Sequence, residues 1–244
     1  MPDPTTILSA PRKPAAHAEG ALVSRILSGD FPADSTLPPE RELALALGVT
    51  RPTLREALQR LDRDGWIQVR HGKATRVRNV WREGGLNVLA ALVRNGGPFP
   101  PNFVSKLLEV RLAMAPAYAG AAVAQNGPRL AAVLARDRRP ADDAEAFAQF
   151  DWDLHVALTT LSDNPVFTLI LNGFGDFYTA MARWYFEPAG ARRASAEFYD
   201  ELLAAAKRGQ AARAETVTRE AMAHSLTLWR ATERRLEKHG LVPP

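Results

Sequence analysis

The chain has 244 residues, 31 Lys and Arg against 27 Asp and Glu for a net charge of +4, and no cysteine. That length accommodates a small domain and a larger one, and the lack of thiols excludes disulfides and thiolate metal ligands, as suits a reducing cytosol. No apolar run is expected to reach bilayer length, and residues 1–16 are polar and Pro-rich where a signal peptide would be apolar, so the expectation is a soluble, cytoplasmic protein with no membrane partner and a disordered N-terminal tail.

Residues 17–80 are predicted to form a winged helix-turn-helix. A first helix starts at Pro39, where a missing N–H costs nothing, and ends at Gly48, which tolerates the left-handed conformation after a last turn. Thr50 is then positioned as N-cap of a second helix with Leu54, Leu58 and Leu61 on one face and Arg51, Arg55 and Gln59 on another. Such a helix has the chemistry of a major-groove reader, because Arg and Gln can engage base edges in pairs of hydrogen bonds. After Gly65 the period changes to two: Ile67 and Val69 alternate with Gln68 and Arg70, His71-Gly72-Lys73 turns, and Thr75 and Val77 alternate with Arg76 and Arg78. From Arg51 to Arg78 there are eight basic and three acidic residues, a local net of +5 that exceeds the whole chain's +4 and points to phosphates.

Residues 81–101 are predicted to be a joint: a helix suggested by Leu86, Val88, Leu89, Leu92 and Val93, then a break at Gly96-Gly97-Pro98 and Pro100-Pro101. Residues 102–240 are all helical in pattern, with segments 103–125, 141–161, 165–186, 189–207 and 211–238 separated by turn signals such as Asn126-Gly127-Pro128. Short connections between long helices imply an antiparallel bundle. Residues 165–186 are apolar nearly all round, which predicts one buried central helix, and the phenols of Tyr178 and Tyr185 then need polar partners. The fold class is therefore mainly α, a winged helix-turn-helix followed by a helical bundle.

Three runs resemble the DNA-binding domain of the GntR family of bacterial regulators: Leu37-Pro38-Pro39-Glu40-Arg41-Glu42-Leu43, residues 48–58 from Gly48 to Leu58, and Leu61-Asp62-Arg63-Asp64-Gly65-Trp66. The resemblance implies that Arg41, Arg51 and Arg55 contact DNA, that Thr50 and Thr53 meet phosphates, and that His71, Gly72 and Lys73 in the wing approach the minor groove. Pro39 and Pro52 stand where other members often carry hydroxyl or small residues.

The similarity continues into the acyl-CoA-responsive FadR subfamily at Gly85-Leu86-Asn87-Val88-Leu89, Leu107-Leu108-Glu109-Val110-Arg111, residues 142–147 and Asn164 to Gly173. It includes Tyr178-Thr179, Tyr185-Phe186 and Phe198-Tyr199, and extends to Trp229. It implies a regulator of fatty-acid metabolism whose operator binding is released by long-chain acyl-CoA, with Arg111, Tyr178, Tyr185, Tyr199, Ser225 and Trp229 as effector residues and no required cofactor. Met222 and Ala223 stand before Ser225 where a small residue is expected.

The rival chemistry is a metal. Asp151 and His155 are four apart on one helix and His224 lies on another, a set able to hold Zn²⁺ or Ni²⁺. This resembles the metal-binding FCD branch of the same family, which senses a small carboxylate through a divalent ion; Tyr199 stands at one of that branch's later His positions. A helical metalloenzyme fused to a DNA-binding domain is a third alternative, but no nucleophile–base pair or phosphate loop supports it. The expectation is a non-enzymatic homodimer on a palindromic operator in the bacterial nucleoid.

Overall fold

The computed structural model describes residues 14–70, 72–85, 87–88, 91–92, 102–136 and 140–238. The chain divides into two compact units, Met1–Pro98 and Phe99–Pro244. The expected tail over residues 1–13, His71, and most of the predicted joint lie outside the described residues.

In the first unit α1 (Pro14–Leu27), α2 (Glu40–Ala46) and α3 (Arg51–Asp64) precede a hairpin of β1 (Ile67–Gln68) and β2 (Arg76–Val77), then a single turn, α4 (Val80–Glu83). Helix α1 packs on α3. Residues 14–16, expected within the tail, begin this helix and bury Ala15, since Pro14 at a helix start needs no donor. Gly48 takes φ +65° after α2, and Thr50 caps α3 by accepting the Thr53 N–H at 3.3 Å. Gly65 closes α3 at φ +92°, a conformation a side chain would strain. The leucine stripe 54, 58 and 61 is buried. The hairpin pairs Ile67 with Val77 and Gln68 with Arg76, antiparallel. Its paired part is shorter than the sequence alternation because the core takes only Ile67 and Val77, leaving Val69 45 % exposed with no face to bury.

The second unit is an all-helical bundle: α5 (Phe103–Arg136), α6 (Ala144–Leu161), α7 (Pro165–Asn172), α8 (Gly175–Phe186), α9 (Ala189–Lys207) and α10 (Ala211–Lys238). Helix α5 is its hub, packed on α6, α9 and α10. Three expectations are corrected here. The Asn126-Gly127-Pro128 signal is a kink, not a chain reversal: Asn126 alone leaves helical geometry (φ −141°, ψ 33°) while its Nδ2 donates to Leu161 O at 2.9 Å. The apolar stretch 165–186 is two helices, because Gly173 ends α7 and Gly175 lets α8 start against the Trp152 ring. Helix α7 buries none of its residues, and Val166 and Leu169 face outward. Finally, Phe103–Ala135 does have the length and mean hydropathy, 1.3, of a bilayer span. Part of its apolar character comes from residues such as Ala115, Ala119, Ala122 and Val123, which are buried in the bundle core.

Candidate functional site

Helices α2 and α3 and the wing carry several exposed basic residues. Arg41 and Arg51 are exposed, as are Gly72 and Lys73 at the wing turn. Thr50 Oγ1 and Thr53 Oγ1 share a 2.8 Å hydrogen bond at the start of α3. An open concavity is lined by Glu40, Arg55, Arg70, Gly72 and Lys73 among others. Arg55 is paired there, its Nε donating to Glu40 Oε2 at 2.7 Å. Part of the local positive charge is neutralised elsewhere: Arg60 meets Glu56 at 2.6 Å, and Arg76 meets Glu83 at 3.0 Å as well as Asp34. Among the described residues Arg41, Arg51 and Lys73 stand outside any ion pair, so their charge is open to phosphates or base edges.

The second unit contains a partly open cavity of about 100 Å³ walled by apolar side chains of α5, α7, α8 and α10. Its polar lining consists of Arg111, Tyr118, Asp151, Tyr178, Tyr185 and Ser225. These groups form a buried network. Arg111 Nη2 donates to Asp151 Oδ2 at 2.7 Å and to His155 Nε2, and the guanidinium lies over the Tyr178 ring, Cζ 5.1 Å from its centroid. Tyr178 Oη donates to Asp151 Oδ2, Tyr199 Oη donates to Oδ1 at 2.8 Å, and Tyr185 Oη lies 3.0 Å from Ser225 Oγ.

Protonation states follow from the donor inventory. Arginine has no acceptor, so His155 Nε2 must accept, and the ring proton sits on Nδ1, 2.6 Å from Tyr118 Oη. A neutral imidazole is also what its surroundings impose: complete burial, then the adjacent Arg111 charge, push the His155 pKa down to about 3. Burial pushes Asp151 up, but the Arg111 charge and the hydrogen bonds from Tyr178 and Tyr199 outweigh it and hold the carboxyl below its ordinary value. Burial raises Tyr118, Tyr178 and Tyr199, so all three phenols stay protonated. The network is thus one cation and one anion, with no net charge. Two N–H groups at the cavity wall, Arg111 Nε and Trp229 Nε1, have no partner among the described residues.

Of the effector residues read from the sequence, Arg111, Tyr178, Tyr185, Ser225 and Trp229 converge on this cavity. Tyr199 stands behind it as a support for Asp151. Met222 is buried and Ala223 exposed. The metal set is not assembled. Asp151 and His155 do come together, with the Arg111 guanidinium hydrogen-bonded to both, and His224, exposed as a residue, lines a small cavity with Arg111 and Asp151. No group of three or more His, Asp and Glu among the described residues is arranged to hold a metal ion. Tyr118 was missed as a site residue, although its position seven after Arg111 puts the two on one helix face, as the four-residue spacing does for Asp151 and His155.

A basic winged helix-turn-helix followed in the same chain by a helical bundle defines a DNA-binding transcription regulator. The chain belongs to the GntR family of bacterial regulatory proteins, which residues 14–77 match, and carries a FadR C-terminal domain over residues 78–240. It is 45 % identical over 195 residues to a fatty acid metabolism regulator protein of Shewanella amazonensis, covering 80 % of this chain and 81 % of that one. A protein of the same name from Edwardsiella ictaluri is 44 % identical over 191 residues, covering 78 % and 80 %. Among solved structures, that of Lar, described as controlling expression of the Listeria monocytogenes agr system and mediating virulence, shares the fold at a TM-score of 0.55. The identity is 16 %, over 91 % of this chain and 97 % of that one.

Proposed function

We propose that the protein regulates fatty-acid metabolism by binding a palindromic operator as a homodimer and releasing it when a long-chain acyl-CoA enters the helical unit. The observation that carries this reading is the cavity itself, apolar over most of its wall and closed at one end by an ion pair without net charge. Such a chamber favours an uncharged aliphatic segment; a free carboxylate would have to displace Asp151 from Arg111 and leave a buried charge unpaired. At about 100 Å³ it is too small for a long chain, since an engineered cavity of roughly 150 Å³ takes a ligand the size of benzene. Accepting the ligand requires the wall to part. Helix α7 is the part of the wall that moves at least cost, because it buries none of its residues. The ligand then favours the opened state by the difference in its affinities for the two arrangements. Arg111, Tyr178, Tyr185, Ser225 and Trp229 meet the polar end of the ligand.

At the other unit, Arg41, Arg51 and Arg55 read base edges, Thr50 and Thr53 hold phosphates, and His71-Gly72-Lys73 follows the minor groove. The test is fluorescence anisotropy on a labelled operator duplex selected by the protein from a random pool. Oleoyl-CoA is expected to release the duplex and free CoA to leave it bound, while Arg51→Ala loses the duplex with an unchanged circular dichroism spectrum. No release by oleoyl-CoA, together with release by a small carboxylate that needs Zn²⁺ and is abolished by EDTA, would overturn the acyl-CoA reading in favour of the metal branch.

A further inference from the structure

We propose that Glu40 sets the sequence discrimination of this regulator by fixing which edge of the Arg55 guanidinium faces DNA. The inference rests on Arg55 as a base reader. Glu40 opens α2 and Arg55 lies in α3, and the two side chains meet across the same open concavity as Gly72 and Lys73. On a face that approaches phosphates, a carboxylate weakens binding by repulsion unless its charge is used. Here it is used: Oε2 accepts the Arg55 Nε–H at 2.7 Å, while the two side chains remain 40 % and 66 % exposed.

The geometry has a chemical consequence. A guanidinium can address guanine O6 and N7 either side-on, through Nε and one Nη, or end-on, through both Nη groups. With Nε held by Glu40, only the end-on edge is free. The contact also restricts a long side chain before DNA arrives, so that less conformational freedom is lost on binding and Arg55 is kept from drifting to a neighbouring phosphate. As a stabilising contact an exposed pair of this kind contributes little, about 0–1 kcal/mol. Its effect belongs to recognition.

The experiment compares the selected operator with a scrambled duplex of equal length, for wild type, Glu40→Ala, Glu40→Gln, Arg55→Ala and the Glu40→Ala/Arg55→Ala pair, with circular dichroism to verify folding. The ratio of operator to scrambled affinity is expected to fall roughly tenfold in Glu40→Ala, the discrimination of one bidentate base contact. Affinity for the scrambled duplex stays level or rises, and Glu40→Gln, which keeps an acceptor for Nε, loses less. In the Arg55→Ala background, Glu40→Ala should cost no further discrimination. An equal rise in both affinities for Glu40→Ala, or an undiminished loss when Arg55 is already absent, overturns the inference while leaving Arg55 a reader. An unchanged ratio in Arg55→Ala overturns the reading and the inference together.

Discussion

His155 shows how burial of one side chain sets the acid limit of a fold. It is fully buried, its Nε2 faces a permanent cation, and its pKa falls to about 3. In the unfolded chain the imidazole titrates near 6.5. Between those values the unfolded state binds a proton that the native state refuses, so stability is complete above about pH 6.5 and declines as pH falls toward 3, by up to about 1.4 kcal/mol per unit. Asp151 acts lower still, since its depressed carboxyl supports the fold until pH drops below the ordinary carboxylate range. Urea midpoints measured from pH 7 to 4 should fall steadily in wild type. His155→Gln should be less stable at pH 7, where it misfits Tyr118 and Arg111, and should have a shallower pH dependence; an unchanged slope would remove His155 as its source. Sequence spacing exposed the Asp151–His155 pair but not its chemistry. The guanidinium that both of them meet belongs to Arg111, forty residues before Asp151, a proximity that only the packing of α5 on α6 creates.

At the level of elements, local signals in the sequence were reliable where one residue type serves one backbone need. The cap at Thr50 and the positive-φ glycine at 48 both follow from such residues. Signals that depend on a neighbour were not. Asn-Gly-Pro at 126–128 ordinarily ends a helix, yet here Asn126 finds an acceptor on Leu161, and the gap closed by Gly127 belongs to α9: a Cβ added there would lie 3.0 Å from Ala206 O. Gly127→Ala must therefore push α9 off α5 or flatten the kink. The expected cost is about 1–3 kcal/mol, as for other overpacked cores, and thermal melting would register it. A variant as stable as wild type would mean that the kink has room to spare. The break at Gly173 was hidden for a related reason: composition marked residues 165–186 as apolar, whereas only packing reveals that α7 covers a cavity without being buried itself.

For the molecule as a whole, the two units make a quantitative demand on each other if the proposed function holds. A ligand that lowers operator affinity by some factor must, by thermodynamic linkage, be bound more weakly by the operator-bound protein by the same factor, typically about 5–150-fold. Trp229 lines the cavity, and Trp152 packs on the ring of Tyr178 at 5.1 Å, so indole fluorescence can report acyl-CoA binding independently of DNA. Titrating oleoyl-CoA with and without saturating operator gives one measure of the factor, and titrating labelled operator with and without saturating oleoyl-CoA gives the other. Equality is expected at each salt concentration. Both operator affinities should fall together as salt rises, because a basic protein that binds DNA releases counterions from the phosphates. A ligand that binds the bundle with the same affinity in the presence and absence of operator would have no differential interaction through which to act, and release by acyl-CoA would then have to come from competition at the DNA face rather than from the cavity.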